Sequence, residues 1–303
     1  MKVIENKTLE PVATTRVLSQ AADYVQLGKL RLSLVVVFSA GMAFLIGAPN
    51  PTSWVAFASL LVGGLLVAVS ANAWNELIEI RTDAIMKRTA GRPLPTRRMV
   101  RRDAVIFGLI AGLLGLGILT FGANPLSGAL SLLSLVLYSF VYTPLKRVGS
   151  ICVLVGAIPG ALPVVIGWAA ARGSLNEEAW LLFVIQFFWQ LPHFFAIAWL
   201  AYDEYKKAGF SMLPWGGSKN EINALTVPLV TLPLIPLAWM PEYYGMAGSV
   251  ATYSLLFFGV LFTVQSIGLW AFQTQKSALQ LMFGSFLYLP AVLIALLLDR
   301  TNF

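Results

Sequence analysis

Nine apolar stretches, each long enough to cross a membrane as a helix, constrain this sequence more than any other feature. A transmembrane helix needs roughly 20 mostly apolar residues to cross about 30 Å of hydrocarbon. The chain has 58% hydrophobic and 12% charged residues, more apolar sequence than the core of a soluble protein can bury. The sequence therefore predicts an all-α integral membrane protein, a bundle of about nine transmembrane helices. The stretches cover approximately residues 32–48, 53–74, 104–122, 126–143, 151–171, 179–200, 224–240, 248–272 and 279–298.

The ends of the chain and its single cysteine add two simpler expectations. Residues 1–23 are mixed polar and contain no hydrophobic signal core, so they are expected to form a short cytoplasmic tail before a transmembrane domain at 24–303. Cys152 is the only cysteine, which excludes an intramolecular disulfide and a metal site built from several cysteines. We expect it to be a small packed residue.

Positive charge falls almost entirely on one side of the predicted bundle. If the N-terminus lies inside, only Arg172 and Arg300 of the 21 lysines and arginines fall in outside loops. Cytoplasmic loops retain lysine and arginine. The pattern thus predicts a multi-pass protein of the inner (cytoplasmic) membrane with a cytoplasmic N-terminus. The net charge of +7 follows from this topology and gives no reason to expect a nucleic-acid partner.

The second apolar stretch runs into a dense set of acids and bases at 71–95. Asn75, Glu79 and Asp83 are spaced by four, which places them on one face of an α-helix, about one turn apart. Glu76 is expected to point elsewhere. Mg²⁺ prefers oxygen ligands and usually binds through a few carboxylates together with substrate phosphates, so the triplet is a candidate metal and catalytic site. The alternative is that the acids only pair with nearby bases at a solvated helix end.

A second acidic pair, Asp203 and Glu204, follows the sixth stretch on the same predicted membrane face. Carboxylates brought together in a bundle repel one another unless cations neutralise them, so convergence of the two acidic segments would imply metal. Basic side chains on this face are candidates to hold a diphosphate by charge-assisted hydrogen bonds, although each taken singly also fits a topology anchor. They are Arg88, Arg92, Lys146 and Arg147.

Four groups of residues carry a resemblance to a known family. They are Asn75, Glu79 and Asp83 with the MKRTAGRPLP segment that follows, YTPLKR at 142–147, WQLPHF at 189–194 and DEYKKAGFSMLP at 203–214. From about Tyr24 onward the chain resembles the membrane-embedded aromatic prenyltransferase superfamily, and within it the members that farnesylate haem. The superfamily implies a nine-helix bundle in which two acidic motifs bind Mg²⁺ and a prenyl diphosphate at the cytoplasmic side.

The resemblance implies a substrate pair and a reaction. Mg²⁺ and basic side chains would withdraw charge from the diphosphate of farnesyl diphosphate, so that it ionises to a farnesyl cation. A vinyl group of haem B, a substrate rather than a cofactor, would attack this cation, and water would complete the hydroxyethylfarnesyl group of haem O. Supply of haem A for cytochrome oxidase follows, with hand-off of product to haem A synthase or to cytochrome oxidase assembly proteins.

The chain departs from the superfamily pattern at three places. Glu79 stands where aspartate is common, which keeps the carboxylate and lengthens its reach. Lys207 stands where a second aspartate often follows at spacing four, which makes a metal role for Asp203 and Glu204 less secure than that of the first motif. The family often has Lys-Pro-Arg where this chain has residues 29–31 as Lys-Leu-Arg, a difference expected to affect the start of the first helix more than the chemistry.

The only histidine, His193, lies inside an apolar stretch, where ionisable groups are costly and often functional. If the helix continues past Pro192, His193 and Glu204 share one face, and a polar cavity would descend from the diphosphate site. Imidazole is a known ligand of haem iron, so His193 is a candidate haem contact. The alternative is a histidine that is hydrogen-bonded within the bundle.

Two other functions stay open at this point. A related prenyltransferase acting on a quinone precursor or a chlorophyll-type acceptor would use the same diphosphate chemistry, although the WQLPHF and AGFSMLP segments favour haem. A haem transporter or assembly scaffold would also explain a membrane bundle with one buried histidine. It would not explain acids at spacing four beside phosphate-binding bases.

Overall fold

The computed structural model describes residues 13–49 and 52–301, with side chains described from residue 20 onward. This part is almost entirely helical and contains no β-strand. In chain order the first helices are α1 (Ala13–Leu27), α2 (Leu30–Gly47), α3 (Trp54–Asp83), α4 (Arg101–Gly122), α5 (Pro125–Val136), α6 (Thr143–Leu145) and α7 (Ile151–Arg172). They are followed by α8 (Glu177–Leu200), α9 (Tyr202–Lys207), α10 (Glu221–Thr231), α11 (Leu234–Leu237), α12 (Met240–Tyr243), α13 (Ser249–Phe272) and α14 (Gln275–Leu298).

Nine helical runs within the described residues are long and apolar enough to cross a membrane. They are α2, α3, α4, Pro125–Leu145, α7, α8, Glu221–Tyr243, α13 and α14. Each corresponds to one of the nine predicted stretches, which confirms the all-α membrane bundle. Large apolar side chains stay exposed on the outside, such as Leu113 at 70% and Phe121 at 91%, as expected for a lipid-facing surface.

The third helix is longer than its apolar stretch. The predicted stretch ended at residue 74, whereas α3 begins after Ser53, whose side chain accepts a hydrogen bond from the Ala56 amide, and continues to Asp83. Asn75, Glu79 and Asp83 are all buried in the bundle. The acidic triplet is therefore part of one continuous helix and faces protein rather than solvent.

Close helix contacts hold α3 in place. A Cβ atom on Gly115 of α4 would lie 2.7 Å from the Gly63 carbonyl oxygen of α3, so the two backbones touch at a point that only glycine permits. Similarly, a Cβ atom on Gly167 of α7 would lie 2.0 Å from the Ala40 carbonyl oxygen of α2. Small residues at helix crossings are the usual means of tight packing in membranes.

Two of the membrane-crossing runs are irregular. Between α5 and α6, residues Leu137–Tyr142 form a π-helix, a turn that is frequent at functional sites. The run from α10 to α12 is interrupted after Thr231 and after Leu237. Pro233 and Pro236 lie in this stretch and have no backbone N–H to continue a helix.

The N-terminal prediction is only partly reached by the structure. Residues 1–12 lie outside the described residues, and α1 begins at Ala13, within the predicted tail. The α1 helix packs through Tyr24 on Phe107 of α4, with ring centroids 5.1 Å apart, and Asp23 pairs with Arg98 at 3.0 Å. The division at residue 23 stays a prediction. Cys152 is buried and free, as predicted.

Candidate active site

A cavity of about 160 Å³ lies where the end of α3 meets four other parts of the chain. Asn75, Glu79 and Asp83 form its α3 wall, and their exposed fractions are 1%, 4% and 0%. Their spacing of four thus brings the predicted triplet to one face. The other lining side chains are Lys29, Leu32, Met86, Arg88, Thr89, Arg92, Tyr138, Tyr142, Lys146, Tyr205, Phe210 and Met212.

Two lysines point at the α3 wall. The Lys29 Nζ atom donates to Asn75 Oδ1 at 2.6 Å, and Lys146 Nζ lies 2.8 Å from Glu79 Oε1. Burial, followed by the nearby Arg92 guanidinium, lowers the pKa of Lys29 to about 7. Burial alone would also lower the pKa of Lys146, but the Glu79 carboxylate, Tyr138 and Tyr205 together outweigh this and raise it above its usual value. Lys146 is therefore held as a cation beside Glu79.

Arg92 bridges two acids of α3. Its Nη1 atom donates to Asp83 Oδ2 at 2.7 Å, and its Nε atom lies 3.4 Å from Glu76 Oε1. Glu76 was expected to point elsewhere and does not line the cavity, but its fully buried side chain shares this arginine with Asp83. Asp83 Oδ1 is buried and has no hydrogen-bond partner among the described residues. A buried polar atom without a partner is costly, so this oxygen marks a place that a bound cation would complete.

Two tyrosines place aromatic rings beside the acids. The Tyr138 and Tyr142 ring centroids are 5.5 Å apart, and Lys146 Nζ lies 4.8 Å from the Tyr142 centroid. Both rings come from the π-helical turn, and Thr143 just after it accepts a hydrogen bond from Asn75 Nδ2 at 3.0 Å. The π faces of such rings attract cations. The turn therefore adds a cation-stabilising surface to the cavity.

The second acidic segment contacts the residues that follow α3 through a backbone amide, and its carboxylates do not join those of α3. Glu204 Oε2 accepts a hydrogen bond from the Arg88 amide at 3.3 Å. Asp203 is exposed and makes no ion pair or side-chain hydrogen bond within the described part of the chain. Neither carboxylate lines the cavity, although Tyr205 does. Their predicted metal role stays a prediction, and the geometry ranks Glu204 above Asp203.

The remaining predicted residues lie apart from the cavity. Arg147 is exposed and lines a different cavity, behind α3. The predicted alignment of His193 with Glu204 on one helix is wrong, because α8 ends at Leu200 and α9 starts a new helix.

His193 faces α14 at mid-helix depth. Its ring stacks on Trp189 at 5.5 Å with an interplanar angle of 11°, and Nδ1 lies 2.7 Å from Ser285 Oγ. This hydrogen bond leaves Nε2 without a partner among the described residues. The role of His193 as a haem contact stays a prediction.

The sequence of the chain matches the model of the UbiA prenyltransferase family over residues 34–289. The chain belongs to the UbiA prenyltransferase family. Among curated UbiA-type relatives, the protoheme IX farnesyltransferase of Cytophaga hutchinsonii is 44% identical and is matched over 93% of this chain and 99% of its own length. The protoheme IX farnesyltransferase of Solibacter usitatus is 36% identical over 92% of this chain and 98% of its own length.

Solved UbiA-family structures share the fold. The structure of a UbiA homolog from Archaeoglobus fulgidus bound to DMAPP and Mg²⁺ superimposes with a TM-score of 0.69. It is 15% identical in sequence and covers 90% of this chain, which in turn covers 99% of that homolog. At that identity the likeness establishes the fold alone and leaves the substrate to be argued from the site.

The residues of this UbiA-family chain fit a Mg²⁺ ion. The α3 wall offers amide and carboxylate oxygens, the ligands that Mg²⁺ prefers, and Asp83 Oδ1 is unpartnered there. No group of three acidic, histidine or cysteine side chains in the described ranges is close enough to hold a metal alone. Mg²⁺ commonly takes only one or two carboxylates and fills its shell with substrate phosphates and water. The arrangement therefore suits an ion that binds together with a diphosphate.

Sequence reasoning missed several residues that this UbiA site uses. Lys29 was not assigned to the site, because the Lys-Leu-Arg segment was expected to affect the start of the first helix more than the chemistry, yet Lys29 contacts Asn75, 46 positions away in the chain. Glu76, Tyr138 and Thr143 were also not assigned. Only Thr143 had a signal in the sequence, because it lies within the YTPLKR segment at 142–147.

Proposed function

We propose that the chain transfers the farnesyl group of farnesyl diphosphate to a vinyl group of haem B and so produces haem O. The observation that carries the diphosphate half is the buried acidic face of α3, which meets Lys29, Arg92 and Lys146 in one cavity. Support for haem as acceptor comes from the relatives named protoheme IX farnesyltransferase, which are matched over nearly their full length.

The charges of the cavity favour departure of the diphosphate from farnesyl diphosphate. Mg²⁺ bound through Asn75, Glu79 and Asp83 would supply Lewis-acid charge neutralisation. Lys146 and Arg92 already lie on these acids, at 2.8 Å and 2.7 Å, so small side-chain rotations bring them onto phosphate oxygens. Arg88 lines the mouth of the cavity and can hold the terminal phosphate. When the C–O bond of the diphosphate breaks, its electrons leave with a group that these cations have neutralised.

The tyrosine rings and the bilayer then protect the cation. Tyr138 and Tyr142 line the cavity, and the π electrons of such rings stabilise an allylic cation at short range. The π electrons of the haem vinyl group form the new carbon–carbon bond, and the positive charge moves to the porphyrin side chain. Water adds to the positively charged carbon of the former vinyl group and loses a proton, which completes the hydroxyethylfarnesyl group. Exclusion of bulk water until this stage prevents hydrolysis of the farnesyl cation.

The acceptor site is proposed to extend toward His193. Its Nε2 atom has no partner among the described residues, and the ring sits among Trp189, Phe194 and Phe286. A flat aromatic environment with one imidazole nitrogen free is the kind of surface that a porphyrin can occupy.

The bundle is proposed to lie in the inner membrane with its N-terminus and active site toward the cytoplasm, because lysine and arginine concentrate in those loops. Single cysteines placed at Thr96 and Ser218, in a chain where Cys152 is replaced by alanine, should resist impermeant thiol reagents in intact cells. Labelling of either site from outside would overturn this orientation. Hand-off of product to haem A synthase or cytochrome oxidase assembly proteins is part of the proposal.

Chromatography of extracted haem tests the function directly. Purified protein incubated with haem B, farnesyl diphosphate and Mg²⁺ should yield a more hydrophobic haem with the mass of the hydroxyethylfarnesyl product. Reactions without farnesyl diphosphate, or with chelator in place of Mg²⁺, should leave haem B unchanged. A quinone precursor offered as acceptor should remain unmodified. Prenylation of the quinone precursor but not of haem would overturn the acceptor assignment and leave the diphosphate chemistry standing.

A further inference from the structure

A second cavity, of about 610 Å³, lies behind α3 and takes no part in the proposed reaction. Four arginines line it: Arg81 at the end of α3, Arg97 and Arg101 around the start of α4, and Arg147 after α6. All four side chains are exposed. We refer to it as the arginine cavity.

The arginine cavity is separated from the active site by α3 itself. The two cavities share no lining residue. Arg81 follows Glu79 by two positions, which is about 200° around the helix, so the two side chains point to opposite faces. A haem bound in the arginine cavity would have α3 between its vinyl groups and the diphosphate. Its occupant is therefore not the reacting acceptor.

The charge of the arginine cavity is not neutralised by the protein. None of the four guanidinium groups forms an ion pair with an acid of the described residues. Arg97 also has a positive φ of 60°, a left-handed conformation that non-glycine residues rarely adopt and that is concentrated at functional positions. Four like charges around one concave space raise the potential for an anion. Guanidinium groups match phosphate oxygens in a planar, two-bonded geometry.

The floor of the arginine cavity is apolar. Leu77, Leu94 and Met99 line it and are less than 10% exposed. Deeper in the bundle, Trp74 lies on the same face of α3 as Arg81, and its ring packs on that of Phe140, which is 48% exposed, with centroids 5.6 Å apart. The cavity lies where α3 ends and α4 begins, at the polar boundary of two membrane-crossing helices. An occupant would thus place a negative group among the arginines and an apolar body against Trp74 and Phe140.

We propose that the arginine cavity binds the phosphate headgroup of an anionic phospholipid, with the acyl chains lying against Trp74 and Phe140. Basic pockets between transmembrane helices are known to hold anionic headgroups, and each nearby basic residue strengthens such binding by about 1 kcal/mol, or about fivefold. The phospholipid would fix the 84–100 segment, which supplies Arg88 and Arg92 to the active site.

Lipid binding measured by native mass spectrometry of the detergent-solubilised chain tests the proposal. The parent should bind dioleoyl phosphatidylglycerol in preference to dioleoyl phosphatidylcholine. The double variant Arg97→Asn/Arg101→Gln should bind phosphatidylglycerol roughly 25-fold more weakly, since two contributions of about fivefold are lost. Asparagine is chosen at 97 because it tolerates the left-handed conformation.

Two further variants and one soluble probe make the result decisive. Lys87→Gln/Arg102→Gln removes the same charge from the same end of the bundle without touching the cavity, and it should retain most of the binding. Arg97→Lys/Arg101→Lys keeps the charge and should also retain most of it. Equal losses in the cavity variant and the Lys87/Arg102 control, or equal affinity of the parent for both lipids, would overturn the site. Glycerol phosphate that binds as tightly as the lipid would overturn the assignment to a phospholipid.

Farnesyl transfer by the variants checks that they fold. Arg97→Asn/Arg101→Gln should turn over in detergent at the rate of the parent, because neither residue contacts the active-site cavity. If that variant fails to fold, the lysine variant replaces it, with salt titration of phosphatidylglycerol binding as the readout. Binding that does not weaken as salt screens the charges would then overturn the proposal.

Discussion

The two acidic segments of this chain look alike in sequence and differ in the structure. At the end of α3, Glu76, Glu79 and Asp83 are buried and are held by basic side chains. At the start of α9, Asp203 is exposed and Glu204 meets only a backbone amide. A carboxylate that is buried with partners has already lost its hydration, so it interacts strongly with any cation that enters. Burial and basic partners, rather than acid spacing alone, thus set the proposed diphosphate site apart from the second acidic segment.

The largest expected effect on the rate of farnesyl transfer is at Asp83. Asp83→Asn keeps the shape of the side chain and removes the charge beside the unpartnered oxygen. We expect kcat for farnesyl transfer to fall roughly 10³-fold, the scale seen when one preorganised electrostatic group is lost, while the protein elutes as the parent does on gel filtration. Asp203→Asn in the same assay is the matched comparison. If Asp83→Asn turns over at nearly the rate of the parent at saturating Mg²⁺, the α3 acids have a purely structural role.

The next effect concerns the Glu79–Lys146 pair. Lys146→Met should lower the free energy of unfolding by about 3 kcal/mol, because it leaves a buried carboxylate without its partner. The double variant Glu79→Gln/Lys146→Met should recover most of that loss and stay inactive, since it has neither the metal ligand nor the phosphate contact. Denaturant titration in micelles and the haem product assay measure the two quantities. A double variant that regains activity together with stability would show that the pair is structural.

A smaller effect is expected at the second acidic segment. Glu204→Gln weakens a charged hydrogen bond to the Arg88 amide, which is worth about 1.5 kcal/mol, so KM for farnesyl diphosphate should rise roughly tenfold. Asp203→Asn should change KM less than about twofold, because an exposed charge contributes little. A loss at Asp203 as large as that at Asp83 would instead make the two segments equivalent metal ligands.

The smallest effect on farnesyl diphosphate is expected at His193, which lies outside the cavity. His193→Ala should leave KM for farnesyl diphosphate within about twofold of the parent, because no hydrogen bond or charge at the diphosphate is lost. It should raise KM for haem and change the absorption spectrum of bound haem. Ser285→Ala, which removes only the partner of Nδ1, is the control for packing. Unchanged haem affinity and spectrum in a stably folded His193→Ala would exclude His193 from the acceptor site.

The sequence predicted those parts of the molecule that depend on local patterns. Apolar runs of sufficient length gave the nine spans, and spacing by four gave the shared face of Asn75, Glu79 and Asp83. The contact of Lys29 with Asn75 joins residues 46 positions apart, and no periodicity encodes it. The orientation of Glu76 depends on Arg92 reaching back from the following segment. The break after Leu200, which separates His193 from Glu204, has no strong local signal, because Ala201 is a good helix former.

The π-helical turn at Leu137–Tyr142 gives the site an unusual dependence on chain length. A π turn contains about one more residue than an α turn for the same advance along the helix axis. If this turn became ordinary α-helix with every residue kept, each later side chain of the helix would turn by about 100°. Lys146 would then face away from Glu79, although no residue of the site had been substituted. The position of Lys146 therefore depends on the π turn, which takes up one extra residue and so keeps this side chain beside Glu79.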